Sequence, residues 1–136
     1  MDKLKIRIIV EKNPTEDPDK VKQAVENIFS TAEFEPKPGD NGDPLIANAK
    51  GKEGLTKLYN LLRRERIRDA ARGVLIKGLK GHFITFYLNK QVAYAGHVSF
   101  CQPVAESPLG PIKVQLACDN PKELIEWLAP RTARGD

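Results

Sequence analysis

Apolar and polar residues alternate through Leu4-Lys5-Ile6-Arg7-Ile8-Ile9-Val10-Glu11, placing Leu4, Ile6, Ile8 and Val10 on one side and Lys5, Arg7 and Glu11 on the other. A period of two is the mark of a strand with one face in a core and the other in water. From Asp17 the period changes. Asp17 can accept from free amides at a helix start, and Pro18 suits the first helical position, where its missing N–H costs nothing. Val21, Ala24, Val25 and Ile28 then recur at i, i+3, i+4 and i+7, which predicts a helix ending near Phe29.

Two short strands are expected over residues 32–37 and 45–50. Between them Pro38-Gly39-Asp40-Asn41-Gly42-Asp43-Pro44 supplies turn residues, and its tip is expected to be mobile. Residues 54–79 carry a helical pattern whose apolar stripe changes direction. Leu55, Leu58 and Leu62 share one side, while Ile67, Ala70 and Val74 point well over a right angle away. One straight helix cannot bury both sets, so a break is predicted between Arg63 and Arg66. Residues 83–88, 98–101 and 112–116 read as three further strands, the last two joined by a turn-rich connection from Pro103 to Pro111. Asp119-Asn120-Pro121 repeats the cap-then-proline start, Leu124, Ile125 and Leu128 form an inward face, and Pro130 stops the helix. Residues 131–136 are expected to be a disordered tail. The fold class implied is α+β, one domain over residues 1–130, with a mixed, mainly antiparallel sheet and helices packed on one face.

Length supports the single domain: 136 residues with 40% hydrophobic content fill one core, and one domain is the expectation. Met1-Asp2-Lys3-Leu4-Lys5 carries no signal-peptide pattern, and no apolar run approaches the roughly 20 residues of a membrane span. A soluble, cytoplasmic protein with no membrane association is the expectation. Cys101 and Cys118 stand far apart and outside any CxxC pattern, so they are expected as buried free thiols rather than a disulfide or a zinc site.

Charge changes the picture more. Between Lys57 and Lys80 there are eight Lys/Arg and two Asp/Glu, a local charge of +6, whereas the remainder holds 14 basic and 16 acidic residues. Localised basicity is the footprint of a site for a polyanion. Arg64, Arg68 and Arg72, four residues apart, would form one ridge on the helix after the break, assisted by Arg63, Arg66, Lys77 and Lys80. The alternative is a solvated ion-pair lattice in which Glu65 meets Arg68 and Asp69 meets Arg72.

A second candidate lies in Tyr87-Leu88-Asn89-Lys90-Gln91-Val92-Ala93-Tyr94. Aromatic rings stack on unpaired bases, Asn89 and Gln91 carry amides that match base edges, and Lys90 could meet a phosphate, with Tyr94 as the platform. The structural alternative is a polar turn after a core strand. No Gly-rich phosphate loop is present, since Gly51-Lys52-Glu53-Gly54 is too short and lacks the following Lys-Ser/Thr pair. His82 and His97 have no ligand-like spacing, and Asp17 and Asp19 are explained by helix capping and the helix dipole. No catalytic constellation, metal site or cofactor is implied, and an enzyme is not expected.

Pro14-Thr15-Glu16-Asp17-Pro18 with Asn27-Ile28-Phe29, then residues 62–72, Phe86-Tyr87-Leu88-Asn89-Lys90-Gln91, Glu106-Ser107-Pro108-Leu109-Gly110-Pro111 and Trp127-Leu128-Ala129-Pro130 occur in that order. With these motifs the chain resembles an uncharacterised archaeal family of RNA-binding proteins and predicted exosome subunits. The resemblance runs from the first strand to the last helix. It implies a fold similar to that of the large-subunit ribosomal protein that binds five-S RNA, and RNA as the partner. A non-catalytic protein-interaction subunit of an RNA-processing assembly is the alternative, since fold similarity alone does not establish activity.

Overall fold

The computed structural model describes residues 3–11, 16–35, 44–101 and 110–131. Residues 38–43 of the 38–44 loop, most of the 103–111 connection and the tail beyond Arg131 lie outside these residues. In chain order the elements are β1 (Lys5–Val10), α1 (Pro18–Ile28), β2 (Glu33–Phe34), β3 (Leu45–Lys50), α2 (Gly51–Gly54), α3 (Thr56–Arg64) and α4 (Arg68–Lys77). They continue with β4 (Leu79–Lys80), β5 (Phe83–Asn89), α5 (Lys90–Tyr94), β6 (Pro111–Ala117) and α6 (Pro121–Leu128). The strands form one sheet in the order β2-β3-β1-β6-β5-β4, and every pairing is antiparallel.

Strand β1 sits near the middle of the sheet because both of its edges are used, by β3 and by β6. Its alternation carries over into its neighbours: Ile6 and Ile8 of β1, Ile112, Val114 and Leu116 of β6, and Ile84, Phe86 and Leu88 of β5 are all buried on the same face. Val21, Ala24, Val25 and Ile28 of α1, Leu58, Leu61 and Leu62 of α3, and Leu124, Ile125 and Leu128 of α6 close that core. Helix α1 starts as its sequence dictates, with the Asp17 side chain accepting from Asp19 N and Pro18 in the first turn. Asn120 caps α6 in the same way through Glu123 N.

The expected break between Arg63 and Arg66 is present, and its chemistry is visible. After α3 the Arg66 N–H donates to Arg63 O (3.2 Å) and the Ile67 N–H to Leu62 O (3.0 Å), while Arg66 itself is left-handed at φ 56°. This is the Schellman arrangement that satisfies the last carbonyls of a helix, here with arginine where glycine is usual. Helix α4 then buries Ala71 and Leu75, with Ile67 and Val74 half-buried, and leaves Ala70 exposed. The inward line is therefore rotated by one position from the expected Ile67, Ala70, Val74 stripe.

Two further expectations are corrected. The helical run expected over 54–79 does divide into two helices, α3 and α4, but it is preceded by the short α2 from Gly51 and stops at Lys77. At Gly78 a Cβ would lie 2.0 Å from Thr85 O, so only glycine lets the chain turn this tightly into the β4–β5 hairpin. Residues 98–101 form a single bridge, Leu88 with Phe100, flanked by Asn89 N to Ser99 O and Cys101 N to Tyr87 O. The short helix α5 intervenes because the Asn89 side chain accepts from Val92 N at its start.

Candidate nucleic-acid interface

The arginines chosen from the sequence divide into two sets. Because α3 ends at Arg64 and Arg66 turns the chain, Arg64 does not share a helix with Arg68 and Arg72, and the expected three-residue ridge is not formed. Arg63 and Arg72 are engaged by α6. Arg63 Nη1 donates to Leu128 O (3.2 Å) and Nη2 to Trp127 O (3.3 Å), and its guanidinium lies 3.4 Å from the Tyr59 ring centroid. Tyr59 in turn stacks on Trp127 at 4.8 Å. Arg72 donates to Ala129 O and forms an ion pair with Glu126. Two cations thus meet the C-terminal end of α6, where the orphan carbonyls and the negative end of the helix dipole lie. The Glu126 contact also holds the Arg72 guanidinium above its ordinary value.

Arg64, with a side chain 68% exposed, and Arg66, Lys77 and Lys80 face solvent, and Arg68 is half-buried. Glu65 pairs with Arg64 (3.9 Å) and with His97 Nδ1 (3.1 Å), and it also accepts from Val98 N, so it ties the α3–α4 corner to the chain after α5. That differs from the expected Glu65 and Arg68 pairing, and for the reason already seen: the turn at Arg66 takes Glu65 off the α4 surface.

In the second candidate segment, Asn89 is committed to capping α5. Lys90 is 3% exposed, and its ammonium donates to Glu11 O (2.6 Å) and to Glu16 Oε1 (3.0 Å). It is held inside the fold and does not face solvent. Gln91 and Tyr94 do, Tyr94 at 47% exposure, on the wall of a cleft of about 340 Å³ between α1 and α5 that Lys20 also lines. Asn27 of α1 donates to Ala93 O and Tyr94 O, both at 3.0 Å, fixing the end of α5 against α1.

Cross-strand register assembles a surface that sequence inspection missed. On the face of the sheet opposite the helices, Lys50, Lys5, Ala117, Phe83 and Lys80 lie side by side across five strands. The next row is Glu33, Asn48, Arg7, Gln115 and Thr85, and the third is Ile46, Ile9, Lys113 and Tyr87. Phe83 is 48% exposed. Arg7 is balanced by Glu35 at 3.5 Å, whereas Lys5, Lys50, Lys80 and Lys113 form no ion pair with another described residue. The available signal was the polar half of each alternating strand. Only pairing brings those halves together.

Among the described residues no group of three or more His, Cys, Asp or Glu could hold a metal ion, and no helix is long and apolar enough to cross a membrane. Neither cysteine is in a disulfide; Cys118 is buried as expected whereas Cys101 is half-buried, and burial pushes the Cys118 thiol above its ordinary value, which keeps it protonated.

A family profile described as RNA binding matches residues 5–116. A UPF0201 protein from Sulfurisphaera tokodaii is 46% identical over 131 residues, covering 96% of this chain and 90% of that protein. The chain belongs to the UPF0201 family. The structure of a UPF0201 protein from Methanococcus jannaschii superposes with a TM-score of 0.84 at 36% identity, covering 97% of each chain. A DUF54 protein from Methanothermobacter thermautotrophicus shares the fold alone, with a TM-score of 0.63 at 18% identity over 93% of this chain and 99% of the other. The UPF0201 fold is therefore α+β, an antiparallel six-stranded sheet with helices, as the sequence pattern implies. The likeness to the ribosomal protein that binds five-S RNA stays with the sequence motifs.

Proposed function

We propose that this UPF0201 protein binds single-stranded RNA on the open face of its sheet. The observation that carries the reading is the register that sets Lys5, Lys50, Lys80 and Lys113 among the rings of Phe83 and Tyr87. Lysines follow a phosphate backbone and aromatic rings accept unstacked bases, and an antiparallel sheet supplies both at strand spacing. The family profile described as RNA binding supports the same partner.

A second RNA surface is favoured by the exposure of Arg64 and Arg66 at the α3–α4 corner, with Arg68 at the start of α4 and Lys77 at its far end. A protein-interaction role in an RNA-processing assembly such as an exosome draws on a different patch. On α4, Ala70 and Gly73 are exposed together with Ile76, which is half-exposed and apolar.

The test is a titration with a single-stranded RNA at several salt concentrations. The Lys5→Gln/Lys113→Gln protein is expected to bind more weakly and to lose about 0.7 from the log K against log salt slope per lost phosphate contact. An unchanged slope in that protein, with a reduced one in Arg64→Gln/Arg66→Gln, moves the site to the helical corner. Absence of RNA binding, with protein partners captured after nuclease treatment, selects the assembly role.

A further inference from the structure

One end of the open sheet face holds a depression of about 540 Å³ where β1 begins and β3 and β6 end. Lys3, Lys5, Lys50 and His82 line it, Asp119 supplies the one carboxylate among the described lining residues, and Ala117 forms part of its wall. Lys5 is directly opposite Lys50 in the β1–β3 register and directly opposite Ala117 in the β1–β6 register. Like charges facing each other across an antiparallel pair are destabilising. Neither lysine is relieved by an ion pair with another described residue. A repulsion built into the end of a strand pair is offset when an anion sits between the two ammonium groups.

The rest of the row says which anion. Ala117 is small, and on its far side its strand partner is Phe83, whose ring is half-exposed. His82, the residue before Phe83, has its backbone fixed at the rim by Cys118 N donating to His82 O at 3.2 Å. The order across the sheet is thus two lysines, a gap and an aromatic ring. A phosphodiester within a strand carries one negative charge, whereas a terminal phosphate monoester carries nearly two at neutral pH. Three lysines against one carboxylate among the described residues, with the His82 imidazole as a further hydrogen-bonding group, match the more highly charged group.

We propose that this depression takes the terminal phosphate of an RNA strand, with the terminal base stacked on Phe83. The inference rests on the RNA-binding reading and goes beyond it by naming the strand end as the feature recognised. The phosphate is held between Lys5 and Lys50 with Lys3 and His82 around it, and the remainder of the strand continues over Lys113 and Tyr87. Phosphate at the 5′ end and at the 3′ end share this chemistry, and the experiment separates them.

Three ten-nucleotide RNAs of one sequence, bearing a 5′-monophosphate, a 3′-monophosphate or hydroxyls at both ends, are titrated into the protein at fixed salt. One phosphorylated form is expected to bind about tenfold more tightly than the hydroxyl form, the effect of a gained set of charge-assisted contacts. The Lys5→Gln/Lys50→Gln protein is expected to remain folded and to bind all three alike. Equal binding of the three RNAs by the unaltered protein overturns the terminal-phosphate site and leaves RNA binding standing. A preference that survives in the Lys5→Gln/Lys50→Gln protein also overturns it, because the phosphate is then held elsewhere. Binding of none of the RNAs overturns both readings. As a second measurement, inorganic pyrophosphate added to the labelled protein should shift the amide resonances of His82, Ala117 and Cys118, and shifts confined to the α3–α4 corner count against the site.

Discussion

Lys90 Nζ lies 3.0 Å and 3.3 Å from the two carboxylate oxygens of Glu16, and this pair joins the start of α5 to the segment that leads into α1. Lys90 is almost fully enclosed, and Glu16 is nearly so. An enclosed ion pair adds little by existing, but removing one partner strands the other's charge away from water. Lys90→Ala should therefore destabilise the protein by about 3 kcal/mol. Urea unfolding checks this, and a loss under about 1 kcal/mol would show that Glu16 is rehydrated when its partner is gone.

Arg66 holds φ 56° at the end of α3, a conformation that costs a residue with a Cβ about 1 kcal/mol relative to glycine. Arg66→Gly should raise stability by up to about that amount, offset in part by the greater freedom of glycine in the unfolded chain. The same change removes an exposed cation. A more stable protein that binds RNA as before would take Arg66 out of the interface.

Gly73 and Gly78 are five residues apart and should respond oppositely to alanine. Nothing lies within 4 Å of a Cβ built at Gly73, which is in the interior of α4, so Gly73→Ala should gain about 0.8 kcal/mol from helix propensity. At Gly78 the added Cβ collides with the Thr85 carbonyl, and Gly78→Ala should cost several times that, with Thr85 N to Gly78 O as the bond at risk. Thermal unfolding of the two variants side by side decides it, and equal effects would refute the close approach.

Glu126 is held below the ordinary glutamate value chiefly by its hydrogen bond to Arg72. A carboxyl whose value is lower in the folded state stabilises the fold fully above its unfolded value of about 4.3, and loses that contribution as pH falls through the lowered folded value. The stability difference between the native protein and Glu126→Gln should therefore be constant from pH 5 to 7 and shrink below about pH 4. A difference that grows on acidification would reverse the sign and exclude the pair as its source.

Tyr94→Ala removes a half-exposed ring, while the backbone carbonyl of residue 94 keeps its bond from Asn27. If the α1–α5 cleft accepts a base, the change should weaken single-stranded RNA binding by about 1–3 kcal/mol with little effect on unfolding. Asn27→Ala, which frees two carbonyls at the end of α5, should do the reverse. Destabilisation by Tyr94→Ala without loss of affinity in the folded fraction would assign the ring to the architecture.

Local sequence alone determined β1, α1, α6 and the break after α3. An alternating run, a proline next to a capping Asp or Asn, and an apolar stripe that changes direction are properties of neighbouring residues. They carry physical consequences wherever the chain folds. Nothing local could show that Arg63 and Arg72 would be drawn to the end of α6, because their partners Trp127, Leu128, Ala129 and Glu126 are more than fifty residues away. The enclosure of Lys90 depends likewise on Glu11 and Glu16, more than seventy residues before it. The open sheet face was half legible: Lys5, Arg7 and Lys113 each declare an outward position by alternation. Which residues stand beside them is a matter of register between strands distant in sequence, and only the tertiary structure sets Lys5 against Lys50 and leaves Ala117 as the gap before Phe83.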